Sequence, residues 1–165
     1  MDIDSGLDFA RANHRGVIAT TRADGTTQMS PIVAGVDAQG RVVVSSRETA
    51  YKVGHLRAMP YAGICLFTDA FFGDWVQLEG PVDVVSLPQA MEPLIDYYRS
   101  LSGEHPDWDE YRAAMERERR VILRMTVERT KYRRQGSGGS PDLFILWTVS
   151  LRRAITRKAA SGFRH

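Results

Sequence analysis

The chain has a single cysteine, Cys65, among its 165 residues, so no intrachain disulfide is available to it. Cys65 sits in the apolar run Ile64-Cys65-Leu66-Phe67, with no neighbour in sequence that would lower its pKa. It reads as a buried, inert thiol rather than a nucleophile. No apolar stretch approaches the roughly 20 residues of a membrane-spanning helix. The start, Met1-Asp2-Ile3-Asp4, is acidic and lacks the basic-then-apolar pattern of a secretory signal, so a cytoplasmic location is expected. The four histidines, His14, His55, His105 and His165, show no metal-ligand spacing, and no metal is expected. G-x-G-x-x-G, P-loop and G-x-S-x-G patterns are all absent, which removes the common marks of dinucleotide binding, nucleotide hydrolysis and serine hydrolysis.

A net basic charge is also missing from most of the chain. Residues 1–130 hold 14 Lys/Arg against 19 Asp/Glu, a net of −5, while residues 131–165 hold 8 against 1, a net of +7. The main domain is therefore not expected to bind nucleic acid. With 43% apolar and 25% charged residues there is material for one core.

What is present alternates. Gly16 to Thr21 is β-rich, and Asp24-Gly25 is a hairpin turn. The spacing predicts a returning strand over Thr26–Val36, with Pro31 marking an edge or a bulge. A turn at Asp37–Gly40 leads to a strand over Arg41–Ser46. A short helix over Thr49–Ala58 stops before Pro60, and a strand follows over Tyr61–Thr68. From Trp75 to Val85, Val76, Leu78, Gly80, Val82 and Val84 share one face, with Gln77, Glu79, Pro81 and Asp83 on the other. A short leading helix is expected over Asp4–Arg11. Ser86-Leu87-Pro88-Gln89 and Asp107-Trp108-Asp109-Glu110 carry capping patterns that open two later helices, and Val121–Glu128 is a closing strand. About six strands, mostly antiparallel, imply a mainly β fold with flanking helices, a small barrel.

Val42 to Lys52 is the most pointed segment. A strand empties into Ser45, Ser46, Arg47, Thr49 and Lys52 where a helix begins, and a helix N-terminus among hydroxyls and cations is a natural seat for a phosphate. Trp75 and Gln77 follow on an alternating strand, so a phosphorylated, ring-bearing cofactor could be held by both ends. The bland readings are exposed helix charge for Lys52 and Arg57, a core or interface aromatic for Trp75, a solvated strand face for Gln77 and Glu79, and a bulge for Ser30-Pro31. Glu104-His105 has the composition of an acid–base pair, or of a loop between helices.

Residues 7–130 resemble the split-barrel flavin and deazaflavin oxidoreductases, the pyridoxamine-phosphate-oxidase-like superfamily, and within it the actinobacterial branch that uses coenzyme F420. The motifs that carry this are Asp24-Gly25-Thr26-Thr27-Gln28-Met29-Ser30-Pro31, the Ser45–Arg57 segment, Phe71-Phe72-Gly73-Asp74-Trp75-Val76-Gln77-Leu78-Glu79-Gly80, and Tyr97-Tyr98-Arg99 with Ser102-Gly103-Glu104-His105-Pro106-Asp107-Trp108-Asp109-Glu110-Tyr111-Arg112. The resemblance implies a six-stranded split β-barrel that forms a homodimer, with the cofactor in a groove built by both copies. It implies Lys52 at the cofactor phosphate, Ser45, Ser46 and Thr49 as nearby donors, Arg57 as a second cation with Arg47 close by, Ser30 and Pro31 beside the ring, and Trp75 and Gln77 on the strand that approaches it. Gly54, Ala58 and Tyr61 stand where close relatives are basic, and Ala50 where some carry arginine. The implied activity is hydride transfer between F420 and a small organic acceptor. The alternatives are an FMN-bound oxidoreductase of the same fold and a non-catalytic F420 carrier.

Residues 131–165 are expected to lie outside this 1–130 domain. Gly136-Ser137-Gly138-Gly139-Ser140 has linker composition. The apolar-then-basic run 143–158 reads either as a loosely packed extension or as a segment lying on a membrane surface.

Overall fold

The computed structural model describes residues 2–70 and 73–133, so Phe71, Phe72, the linker at 136–140 and both readings of the tail lie outside the described residues. Among the described residues eight strands and four helices follow one another in the order α1 (Ile3–Ala12), β1 (Arg15–Thr21), β2 (Thr27–Val33), β3 (Gly35–Val36), β4 (Val42–Arg47), α2 (Tyr51–Ala58), β5 (Tyr61–Phe67), β6 (Trp75–Val85), α3 (Met91–Ser102), α4 (Trp108–Arg117), β7 (Arg120–Met125) and β8 (Arg129–Arg133). All strand pairings are antiparallel. The first sheet runs β2-β1-β5-β6-β8 and the second β6-β7-β4-β3, with the 11-residue β6 shared by both. The mainly β split barrel with flanking helices expected from the sequence is what the chain forms.

The strand count exceeds six because one expected strand is divided where it changes partners, and a further strand, β8, follows where the chain was expected to leave the sheet. Over Thr26–Val36 the break falls at Ala34. Its N–H donates to the His14 carbonyl at 2.7 Å, and its own carbonyl meets His14 Nδ1 at 3.0 Å. That clasp ends pairing with β1 and lets β3 turn to β4. The strand expected over Val121–Glu128 stops at Met125. Thr126 N–H then bonds Pro81 O at 3.0 Å and Glu128 N–H bonds Glu79 O at 2.8 Å, which carries the chain across β6 into β8. The crossing is tight, for a Cβ on Gly80 would lie 1.9 Å from the Thr126 carbonyl oxygen, so glycine alone fits there. β8 itself passes the boundary expected at residue 130.

Alternation fills the barrel. Ile18, Val44, Ile64, Leu66, Leu78 and Leu123 point inward and are buried. A second apolar cluster, Val43, Leu94, Ile95, Tyr111 and Ile122, lies between the second sheet and α3/α4. Asp107 caps α4 as its pattern predicts, accepting from Asp109 and Glu110 N–H at 3.0 Å each. Ser86 does not cap α3, which starts at Met91 behind an uncapped Ala90; its hydroxyl is used elsewhere. Among the described residues no helix is long and apolar enough to cross a membrane, and no group of three or more His, Cys, Asp or Glu is placed to hold a metal ion.

Candidate functional site

The turn from β4 into α2 behaves differently at each of its polar residues. Strand alternation sends Ser46 into the barrel, where it is buried, and Ser45 to the opposite face beneath α3. The two hydroxyls therefore cannot serve one phosphate. Tyr97 of α3 lies beside Ser45; its hydroxyl donates to Val33 O at 2.8 Å, and burial pushes its pKa up to about 12. Arg47 is exposed on the Ser45 face and pairs with Glu118 at 3.6 Å. Thr49 is exposed in the turn.

Lys52, in the first turn of α2, is half-buried, and burial alone pulls its pKa below the usual lysine range. Among the described residues it has neither a carboxylate nor a hydrogen-bond partner. The helix it opens starts behind Ala50, which offers no side-chain cap. An ammonium drawn partly out of water with nothing to balance it is a site that favours an anion. His55, three residues on and so on the same flank, bonds the Thr20 hydroxyl at 3.1 Å through Nδ1, which fastens α2 to β1. Gln28 lies directly across from Thr20, and its Oε1 is buried without a partner.

This flank borders the split in the barrel. Among the described residues β2 pairs only with β1, which leaves its far edge open and gives Pro31 the edge position its missing N–H requires. β4 pairs β3 only at Val42 and Val43, so its edge from Val44 to Arg47 is open too. β2 and β4 approach across this gap without a ladder. The inward residues at the gap are polar: Gln28 and Ser30 from β2, and Ser46 from β4.

Pro31, Trp75 and Gln77 lie elsewhere, on the outer face of the first sheet. One register row there reads Pro31, Val17, Cys65, Gln77, Lys131, and the next Met29, Ala19, Gly63, Glu79, Arg129. The centre is small-sided, and Met29 (69% exposed), Val33, Tyr61 and Phe67 stand around it. Trp75 is paired with Phe67. The Gln77 amide donates to Glu79. Cys65 is half-buried on this outer face rather than buried as expected, because strand alternation turns it away from the core, and its partial burial raises its pKa. Pro31 and Gln77 are three strand spacings apart, about 14 Å, so one protomer does not bring both to the same ring edge.

Arg57 is not free for a ligand. Its guanidinium pairs with Glu48 and lies 3.0 Å from the Ser86 hydroxyl, which in turn donates to Glu48 at 3.3 Å. A cavity of about 430 Å³ adjoins this triangle, lined by Glu48, Ser86, Leu87, Glu116, Arg119 and Arg120. A second, of about 420 Å³, lies between the start of α1 and β8. Neither contains Lys52 or Trp75. Glu104 and His105 are structural: Glu104 accepts from Arg99 and from Trp108 Nε1, and His105 Nδ1 accepts the Asp107 N–H with its ring among Tyr98, Trp108 and Tyr111.

Of the predicted residues, then, Ser30, Ser46, Thr49 and Lys52 belong to the split and its turn. Pro31, Trp75 and Gln77 belong to the outer face, and Ser45, Arg47 and Arg57 to the α3/α4 side. Sequence reasoning missed Thr20, Gln28, Glu48, His55 and Ser86. Thr20 had a signal, a polar residue at an inward position two after Ile18; the others acquire roles only through contacts distant in sequence.

The family model for pyridoxamine 5'-phosphate oxidase matches residues 6–134. Among solved structures, the chain is similar to the conserved hypothetical protein Rv2991 from Mycobacterium tuberculosis, with 21% identity, 85% of this chain and 94% of that one covered, and a TM-score of 0.66. It is also similar to a protein titled F420 Reductase, with 19% identity, 72% and 90% covered, and a TM-score of 0.55. A NimC/NimA family protein from Clostridium acetobutylicum is similar at 18% identity, 81% and 88% covered, and a TM-score of 0.58. At these identities the structures speak for the fold. The match over residues 6–134 carries more, and by it the chain belongs to the pyridoxamine 5'-phosphate oxidase family.

Proposed function

We propose that this protein is an F420-dependent reductase that works as a homodimer. The observation that carries the reading is Lys52, a half-buried cation without a counter-ion at the uncapped start of α2. It fits a cofactor phosphate. One unpaired cation also suits the singly charged phosphodiester of F420 better than the doubly charged phosphomonoester of FMN. The resemblance of the motifs and the likeness to an F420 reductase support the same choice.

Lys52 and the first N–H groups of α2, with Thr49, would hold the phosphate. Ser30 and the buried Gln28 carbonyl, which lacks a donor, would meet polar edges at the split. The bare outer face supports the dimer. Pro31 from one copy and Trp75 with Gln77 from its partner would enclose a ring that neither copy encloses alone. When bound, reduced F420 supplies a hydride to a small organic acceptor. The protein's part is to fix the ring, shut out water and present the acceptor.

Fluorescence titration with F420 and with FMN tests the reading, followed by a screen of acceptors. Saturable F420 binding with weaker FMN binding supports it. FMN preference moves the protein to the flavin reading, and tight F420 binding without turnover of any acceptor makes it a carrier.

A further inference from the structure

Arg57 is the one cation on α2 that the resemblance would place at the phosphate and the structure holds away from it. We propose instead that Arg57 is the fixed counter-ion of Glu48, a positioning residue that keeps the phosphate turn free of negative charge while Lys52 alone meets the ligand. The assignment rests on the cofactor reading above.

Three observations converge on it. Glu48 stands inside the turn, four residues before Lys52, and its backbone N–H is fixed to the Arg119 carbonyl at 2.9 Å. Its side chain is only 19% exposed, so solvent screens its carboxylate poorly. A bare carboxylate there would oppose any phosphate arriving at the start of α2. Arg57 and Ser86 each bond that carboxylate, one at either oxygen, and Arg57 also bonds Ser86, which closes a triangle around the charge. Helix geometry gives the third. Lys52 and Arg57 are five residues apart, about 140° around the axis, so they project from different flanks. The Lys52 flank carries His55 and its bond to Thr20 at the barrel. The Arg57 flank faces Ser86 at the end of β6.

The two roles for Arg57 give opposite results in a double-mutant cycle. Affinities for F420 and FMN are measured for the wild type, Arg57→Gln, Glu48→Gln and the double variant, with melting temperatures alongside. Glutamine keeps a donor for Ser86, so the fold is disturbed little. If Arg57 neutralises Glu48, Arg57→Gln weakens both ligands about tenfold, Glu48→Gln binds as well as the wild type or better, and the double variant recovers to within about threefold of the wild type. The expected gain in Glu48→Gln is larger for the dianionic FMN, because Arg57 is then released. If Arg57 is a phosphate ligand, the double variant stays as weak as Arg57→Gln, and the proposal falls. Equal, unrescued losses with a collapsed melting temperature would make the triangle merely structural and also overturn it. A wild type that binds neither ligand is a different failure, and it removes the cofactor reading itself.

Discussion

The two sheets of this barrel present outer faces of opposite fate. The outer face of the second sheet is covered. Val43 and Ile122 lie under α3 and α4, against Leu94, Ile95 and Tyr111, all buried. The outer face of the first sheet has no described element over it, and four of the seven large apolar residues that stand exposed, Met29, Val33, Tyr61 and Phe67, belong to it. The difference is that the described residues place two helices over one and none over the other. Exposed apolar residues gathered on one sheet face are a usual mark of an association surface, and they are the ground for the homodimer proposed above, while the covered face packs into the second apolar cluster.

The largest effect is therefore expected from truncation on the covered face. Leu94 is fully buried between α3 and the second sheet, and Leu94→Ala should cost about 2–5 kcal/mol by leaving a cavity. Denaturant unfolding reads it directly, and a loss below about 1 kcal/mol would mean that the α3 packing is looser than the structure shows. The bare face should respond in the other way. A Cβ on Gly63 meets nothing nearer than 3.9 Å, so Gly63→Arg should fold as a protomer almost unchanged. It should nevertheless block association, because it plants a charge in the centre of the face. Light scattering should show half the wild-type mass, with cofactor binding lost alongside. An unaltered mass would place the dimer contact on some other surface.

Lys52 sharpens the contrast from the ligand side. Lys52→Ala removes no described contact, so the fold should hold, and stability should stay level or rise slightly as a desolvated charge disappears. Cofactor affinity should fall by about one to two orders of magnitude, the loss of a charge-assisted hydrogen bond of about 1.5–3 kcal/mol. Calorimetry on one preparation reports both. Unchanged affinity would remove Lys52 from the phosphate site.

The fold was legible because it rests on local pattern. Trp75–Val85 alternates cleanly and forms β6 over those same residues, and Asp107 caps α4 where its spacing places it. What was illegible depended on long-range contact. Nothing in the run Ile32-Val33-Ala34-Gly35 announces that Ala34 will be clasped by His14, twenty residues earlier. The site divides along the same line. Lys52 was expected near a helix start and stands in the first turn of α2, half-buried and without a partner among the described residues. Arg57 looked equivalent to it in sequence and proved to be committed to Glu48 and to Ser86, 29 residues away. Ser45 and Ser46 were adjacent hydroxyls in the sequence, and strand alternation set them on opposite faces.

The smallest predicted effect is the most discriminating. Burial alone holds the Lys52 pKa below the ordinary lysine value of 10.5. In the free protein the folded state therefore gives up this proton before the unfolded chain does. The cost of keeping the charge is fully present below the depressed value, and it is relieved as pH rises from that value towards 10.5, so stability gains from this group across the window. Ligand binding must run the opposite way. A bound phosphate favours the ammonium, so affinity is greatest below the depressed value and falls as pH climbs through the same window. Opposed slopes in one pH range, stability upward and affinity downward, are expected of the wild type and should both vanish in Lys52→Met. If affinity held level to pH 10.5, the phosphate would lie out of reach of Lys52, and the unpaired lysine would be an ordinary consequence of packing at the start of α2.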